Sequence, residues 1–200
     1  MIHFRRELQR FKEYQRVAEI GEIARRYFAM NSFDGLLTIL GVLMGNYLAD
    51  VRVPAIVIIT GMTTSVSMAV SGLWGAYLTE SAERQRSLDD LEEHTLTDLS
   101  QTRIGHASRV AVVIVAAVDG FAPLFASLLV LLPFFLTYLW GNILYSYYLA
   151  FAIAMASLFG LGAFLGRISK QNILIAGLKM IVAGVVALLL SYVIESVIHP

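Results

Sequence analysis

Residues 31–45 read NSFDGLLTILGVLMG, an apolar run that holds a single carboxylate, Asp34. The run extends from Phe28 to Ala49, which is about 33 Å of α-helix and enough to cross a bilayer core of about 30 Å. Asp34 lies about two turns from one end of this predicted span. An acid within a membrane is costly and usually faces a cavity, a partner or an ion path, whereas one at the interface caps a helix or reaches headgroups. Position alone leaves both interpretations open.

The composition is typical of an integral membrane protein. Of the 200 residues, 58% are hydrophobic and 15% are charged, against about 25% charged residues in ordinary soluble domains. The chain has no cysteine, which excludes disulfides, thiolate metal ligands and a cysteine nucleophile. It contains no HExxH, no GxSxG and no phosphate-binding loop, so we expect neither an enzyme nor a permanently bound cofactor.

The hydrophobic pattern predicts an all-α protein with five membrane-spanning helices. Residues 1–27 are basic and carry apolar residues at helical spacing, which predicts an amphipathic helix on the cytoplasmic membrane face or against another protein surface. Acids interleave with its bases, so we expect no nucleic-acid partner. Residues 28–78 hold spans one and two, residues 79–109 form an acidic cytoplasmic insert predicted as a short helical pair, and residues 110–200 hold spans three to five.

Basic residues predict the orientation of the chain. The segments 1–27, 79–109 and 167–170 together carry 13 lysines and arginines, whereas the opposite loops carry only Arg52. Because positively charged loops stay in the cytoplasm, we expect the N-terminus inside and the C-terminus outside. Aromatic residues crowd the connection after span three and predict an interfacial belt. They are Tyr138, Trp140, Tyr145, Tyr147 and Tyr148.

The acidic insert holds candidate cation ligands. On a helix, Glu80 and Glu83 lie at i, i+3, and Asp89 with Glu93 and Asp90 with His94 lie at i, i+4, so each pair shares a face. Carboxylates together with a histidine suit a divalent transition metal. The alternative is a solvated helical hairpin without a metal, and the spacing favours it because no strict ligand motif is present.

Spans one and two resemble spans three and four in the order and spacing of three short motifs. The matches are Asp34-Gly35 with Asp119-Gly120, the residues around Met68 with those around Met155, and residues 75–78 with residues 162–165. The first match is offset by 85 residues and the other two by 87. Each half therefore supplies one acid and one thioether, which suit hard and softer ions respectively. Duplicated membrane halves are a feature of transporters, although methionine is also an ordinary packing residue.

These motifs resemble those of the vacuolar iron transporter family, which includes yeast vacuolar iron and manganese carriers and plant nodulin-like relatives. Residues 33–41, with an Asp-Gly pair followed by Thr and Gly, are similar to the family's first-helix motif. Residues 67–83 are similar to its second-helix motif, and residues 162–192 resemble its last two helices. The resemblance covers most of residues 25–195.

The resemblance implies five spans, a homodimer with a pore at the subunit interface, and export of ferrous or similar ions from the cytosol in exchange for protons. Asp34 and Met68 match the pore acid and the pore methionine of the family, and Glu83 matches a Glu just after the second helix. The chain departs from the pattern in two ways. Its insert is short where well-described members carry a long acidic metal-binding domain, and Thr60 stands where a Glu is expected.

The leading hypothesis is thus a proton-coupled exporter of Fe²⁺ or Mn²⁺, with Asp34 and Met68 lining the path and Asp119 and Met155 as a second candidate pair. Its partners would be the metal ion, protons, the lipid bilayer and a second copy of the chain. It would sit in the plasma membrane of a prokaryote or the vacuolar membrane of a eukaryote. The alternatives are a transporter of a different solute on the same scaffold, favoured by Thr60 and the short insert, and a non-transporting interaction or sensor protein.

Overall fold

The computed structural model of the chain describes residues 20–96, 98–99 and 101–198. Its regular structure within these residues is entirely helical, which confirms the all-α prediction. The helices are α1 (Ile20–Leu48), α2 (Pro54–Thr95), α3 (Arg103–Phe135), α4 (Thr137–Trp140), α5 (Ile143–Ile168) and α6 (Ile173–Ile198). Most of the predicted N-terminal amphipathic helix falls on residues 1–19, outside the described residues.

Five helical segments are long and apolar enough to cross a membrane: α1, α2, α3 together with α4, α5, and α6. The chain thus has the helices of a membrane protein with five spans. Helix α2 is 42 residues long, about 63 Å and roughly twice the thickness of a bilayer core. It continues without a break to Thr95, so residues 79–95 of the acidic insert extend the second apolar helix, and α3 begins at Arg103.

Capping residues set the short connections that follow α4 and α5. The Asn142 side-chain oxygen accepts a 2.9 Å hydrogen bond from the backbone N–H of Leu144 and so starts α5. Asn172 does the same for Leu174 at 2.9 Å and so starts α6. Gly141 ends α4 with a φ of +66°, a left-handed conformation that favours glycine.

The chain divides into two compact units. The first unit comprises Val70–Phe121 and the described part of residues 1–28, and the second comprises Ala29–Ala69 and the described part of residues 122–200. The core of the second unit is built from buried aliphatic and aromatic side chains of α1, α2, α3 and α5. These include Leu36, Ile39, Leu40, Leu43, Val57, Val130, Leu131, Phe134, Tyr147, Ala150, Ala154 and Leu158.

Within the second unit, α5 and α6 approach closely through small residues. A Cβ atom placed on Gly162 would lie 2.5 Å from the carbonyl oxygen of Ala176, and one on Gly177 would lie 2.5 Å from the ring of Phe159. Small residues at helix interfaces let membrane helices pack backbone to backbone. Substituting Gly162 would push against backbone, so this contact fixes how α6 lies on α5.

The first unit combines small buried residues with a polar contact between helices. Ala76 of α2 and Ala107, Ala111 and Ala116 of α3 are buried. The Tyr27 hydroxyl donates a 3.1 Å hydrogen bond to Glu80, linking the first turns of α1 to α2. The other carboxylate oxygen of Glu80 accepts from Nε of Arg84 at 3.2 Å, and both side chains of this ion pair are more than four-fifths buried.

Candidate functional site

Asp34 lies on the exposed side of α1. In the single chain its side chain is exposed, although it sits inside a helix of membrane-spanning length. The opposite side of the same helix packs into the core of the second unit, where Leu36, Ile39 and Leu40 are fully buried. The carboxylate of Asp34 therefore faces away from the core of the second unit.

The residues that share this side with Asp34 form a surface that we call the α1 open face. It consists of Met30, Asp34, Thr38, Gly41 and Gly45, which recur at intervals of three and four residues. Met30 is 53% exposed, and a Cβ atom placed on Gly41 or Gly45 would meet nothing within 4 Å. Gly41 and Gly45 also have the GxxxG spacing typical of membrane helices that associate. The GxxxG spacing is visible in residues 31–45 of the sequence, but only Asp34 is predicted there as a functional residue of this helix face.

Gly35, the residue after Asp34, lies at a close contact between α1 and α3, and this contact fixes the orientation of Asp34. A Cβ atom on Gly35 would lie 2.6 Å from the Cα atom of Pro123 and 2.7 Å from its carbonyl oxygen. The Ser127 hydroxyl lies 2.8 Å from the carbonyl oxygen of Pro123 and 3.3 Å from that of Gly35, so it can donate to both. Helices α1 and α3 thus touch backbone to backbone at Gly35. One residue of helical rotation then turns Asp34 out of this contact.

Asp119, the matching acid of the predicted repeat, lies in a different environment. It is 8% exposed, and a Cβ atom placed on Gly72 would lie 2.9 Å from its carbonyl oxygen and 3.0 Å from its carboxylate. Helix α2 therefore packs directly on the backbone of Asp119. Pro123 follows four residues later and, as a proline, has no backbone N–H that could donate the usual helical hydrogen bond to the Asp119 carbonyl.

The two candidate methionines are both half-buried. Met155 packs against the hydrophobic core of the second unit, and its sulfur would lie 3.2 Å from a Cβ atom on Gly184 of α6. This places the Met155 thioether at the α5–α6 contact. Met68 lies on α2, in the second unit with Asp34.

The candidate ligands of the acidic insert lie along α2 and do not form a cluster. Glu83, Asp90, Glu93 and His94 are exposed, while Glu80 is occupied by Tyr27 and Arg84 as described above. Nδ1 of His94 lies 2.7 Å from the backbone carbonyl of Asp90, which accepts its hydrogen. Across the described ranges, no three His, Cys, Asp or Glu side chains gather in a way that could hold a metal ion.

Thr60, where the family resemblance implies a Glu, takes part in a neutral polar pair. The Asn46 amide donates a 3.0 Å hydrogen bond to the Thr60 hydroxyl, which in turn donates to the backbone carbonyl of Ile56 at 2.9 Å. The pair joins the end of α1 to the start of α2. This position therefore carries hydrogen-bonding groups without charge.

These features define an all-α protein with five helices of membrane-spanning length, the first of which carries Asp34 on its exposed side. No protein-family model matches the chain. It is 32% identical over 179 residues to the uncharacterized protein MJ0645 of Methanocaldococcus jannaschii, an alignment that covers 88% of this chain and 90% of that protein. The chain therefore belongs to the same family as this archaeal protein.

Proposed function

We propose that the protein is a proton-coupled exporter of divalent metal ions that works as a homodimer, with the α1 open faces of two copies meeting around Asp34. The observation that carries this proposal is the exposed carboxylate on an apolar helix. A charged Asp facing lipid costs about 2.5–3.5 kcal/mol at the centre of a membrane helix. A second copy would cover it, and two-fold symmetry would place two such carboxylates opposite each other.

The chemistry of a carboxylate supports exchange of a metal ion for protons. Asp34 is the only carboxylate between Phe28 and Ala49, and a carboxylate can hold either a proton or a cation. Competition between the two at one site is a physical route to antiport. The thioether of Met68 would add a softer ligand, which favours ions such as Fe²⁺ over Mg²⁺.

The lack of a three-ligand cluster within the described part of one chain fits a site that is completed between copies. A metal held at Asp34 would take its other ligands from the partner copy, from hydroxyl and carbonyl oxygens, or from Met68. Mn²⁺ accepts oxygen ligands readily, and Fe²⁺ accepts both oxygen and softer donors. The resemblance to the vacuolar iron transporter family supports the same two ions.

We place the N-terminus and residues 79–95 of α2 in the cytoplasm, on the basis of the distribution of Lys and Arg. The exposed acids Glu83, Asp90 and Glu93 would then raise the local cation concentration by their combined field. The membrane would be the plasma membrane of a prokaryote or the vacuolar membrane of a eukaryote.

A transporter of a different solute is the second candidate. The neutral Asn46–Thr60 pair favours it, because the hydrogen-bonding groups at this position suit a polar solute better than a metal ion. Flux of metal and of neutral solutes through the same preparation separates the two functions. A protein that moves neither would instead act as a membrane interaction or sensor protein.

The direct test is metal flux into proteoliposomes with an imposed pH gradient. We expect wild-type protein to move Fe²⁺ or Mn²⁺ and protons in opposite directions, and Asp34→Asn to move neither while remaining folded. The matched control is Asp50→Asn, since Asp50 is an exposed loop acid paired with Arg52. Wild-type flux from Asp34→Asn, or equal losses in both variants, would refute the proposed role of Asp34.

A further inference from the structure

Helix α4 and its neighbours form an exposed aromatic turn between α3 and α5. Tyr138 is 83% exposed and Leu139 is 77% exposed, and Tyr145 and Tyr148 also project outward. In a protein surrounded by water, such a group of large apolar side chains on one turn is costly. The prediction that Tyr147 joins this group is wrong, because Tyr147 is 1% exposed and lies in the core.

Several polar groups at the base of the turn hydrogen-bond to one another. The hydroxyls of Thr137 and Ser146 lie 2.7 Å apart, and the indole N–H of Trp140 donates to Ser146 at 3.0 Å. The carbonyl oxygen of Pro133 accepts from the Leu136 backbone N–H at 3.2 Å and from the Ser146 hydroxyl at 3.2 Å. A turn that needs few hydrogen bonds from water can enter an apolar phase at low cost.

A second contact places the turn beside the aqueous boundary. The Tyr147 hydroxyl donates a 3.0 Å hydrogen bond to the carbonyl oxygen of Val51. Val51 lies between Asp50 and Arg52, two exposed residues that form an ion pair. The aromatic turn therefore lies at the same end of the second unit as the α1–α2 loop. The charged residues of this loop are expected to lie in water, just outside the apolar layer.

We propose that α4 and its flanking aromatic residues are an interfacial anchor that binds the boundary between lipid headgroups and acyl chains and fixes the depth of α3 and α5. The turn directly continues two helices of membrane-spanning length, which argues for lipid as its partner. Tyr and Trp favour this layer because each ring is apolar and carries one polar group. The proposal depends on the five spans and is independent of what the protein transports.

Tryptophan fluorescence tests the anchor, since the chain has only two tryptophans. Trp74→Phe leaves Trp140 as the sole reporter, and full-length protein is reconstituted into phosphatidylcholine–phosphatidylglycerol vesicles brominated at shallow or deep acyl positions. We expect shallow bromines to quench Trp140 at least about twofold more than deep bromines, and iodide in the water to quench weakly. Dominant iodide quenching would show a solvated loop, and quenching by neither agent would show a protein-covered surface. Either result overturns the anchor.

A second reporter position controls for any effect of the hydrogen bond between Trp140 and Ser146 on the Trp140 fluorescence. Tyr138→Trp, in a chain that also carries Trp74→Phe and Trp140→Phe, moves the fluorophore to the most exposed ring of the turn. Little packing is lost, because Tyr138 makes few contacts with its own chain. Shallow bromines should again quench most strongly, and preferential quenching by deep bromines or iodide would contradict the proposal.

Discussion

The acids of α1 and α3 follow the same pattern in sequence and lie in opposite environments. Asp34 faces outward on a surface where glycines meet nothing, while Asp119 is buried with helix α2 packed on its backbone. Each is followed by a glycine, Gly35 and Gly120 respectively. A shared dipeptide therefore does not give the two acids a shared role.

The surroundings of each acid tell the two roles apart. An exposed carboxylate on an apolar helix is available to an ion or to a partner copy, whereas a buried one is enclosed by its own chain. Met155, the thioether of the second half, likewise packs at the α5–α6 contact. Under the proposed function, we therefore expect transport to depend on Asp34 and expect Asp119 to support the packing of its helix.

The largest expected difference is between Asp34→Asn and Asp119→Asn in the proteoliposome assay. Asp34→Asn should reduce metal flux by about 100-fold or more, because it removes the charge that holds the ion. Asp119→Asn keeps the shape and one oxygen of a packed side chain, so we expect flux within about tenfold of wild type and a lower melting temperature. A larger loss of flux in Asp119→Asn than in Asp34→Asn would contradict the expected difference between the two acids.

Two glycines of α1 offer the same contrast on one helix. Gly35→Ala should lower the free energy of unfolding by about 1–3 kcal/mol, because its Cβ atom would meet the backbone of Pro123. The Cβ atom of Gly41→Ile would meet nothing within 4 Å in its own chain, so we expect a smaller loss of stability than for Gly35→Ala and a lower fraction of dimer. Thermal unfolding in detergent and light scattering after size exclusion measure the two effects. An equal loss of stability in both variants, with association unchanged, would contradict the assignment of an open face.

The smallest expected effect distinguishes Gly72 from Gly75 on α2. Gly72→Ala places a Cβ atom 2.9 Å from the carbonyl oxygen of Asp119, so we expect a loss of about 1 kcal/mol. At Gly75 the added Cβ atom meets nothing within 4 Å, and Gly75→Ala should be neutral or stabilising by up to about 1 kcal/mol. Identical melting temperatures for the two variants would show that the packing around Asp119 is loose.

The sequence predicts where the helices lie, but it does not predict which side of each helix is buried. Long apolar runs bounded by charged or capping residues predicted three spans over residues 110–200, and the structure has three long apolar helical segments there, Arg103–Trp140, Ile143–Ile168 and Ile173–Val197. Membrane helices are apolar on most sides, so hydrophobic periodicity does not indicate which side is buried. The exposure of Asp34 and the burial of Asp119 and Tyr147 depend on tertiary packing.

In the structure, the glycines show more clearly than the polar residues where helices contact each other and where a helix surface is open. Gly35, Gly72 and Gly162 mark backbone contacts between helices, while Gly41 and Gly45 mark an open surface. One-letter patterns do not separate these two uses, because both require a residue without a side chain. The neighbouring helix decides which use applies.

The most direct test of a second copy covering Asp34 is disulfide formation between α1 helices in membranes. The chain has no native cysteine, so Thr38→Cys introduces one thiol per chain, one turn from Asp34 on the α1 open face. Val182→Cys on α6 is the control, since Val182 is exposed and lies on a different helix. We predict oxidation to a covalent dimer for Thr38→Cys and monomer for Val182→Cys. A monomeric Thr38→Cys protein, in membranes where Val182→Cys forms the dimer, would contradict the claim that Asp34 lies at the interface.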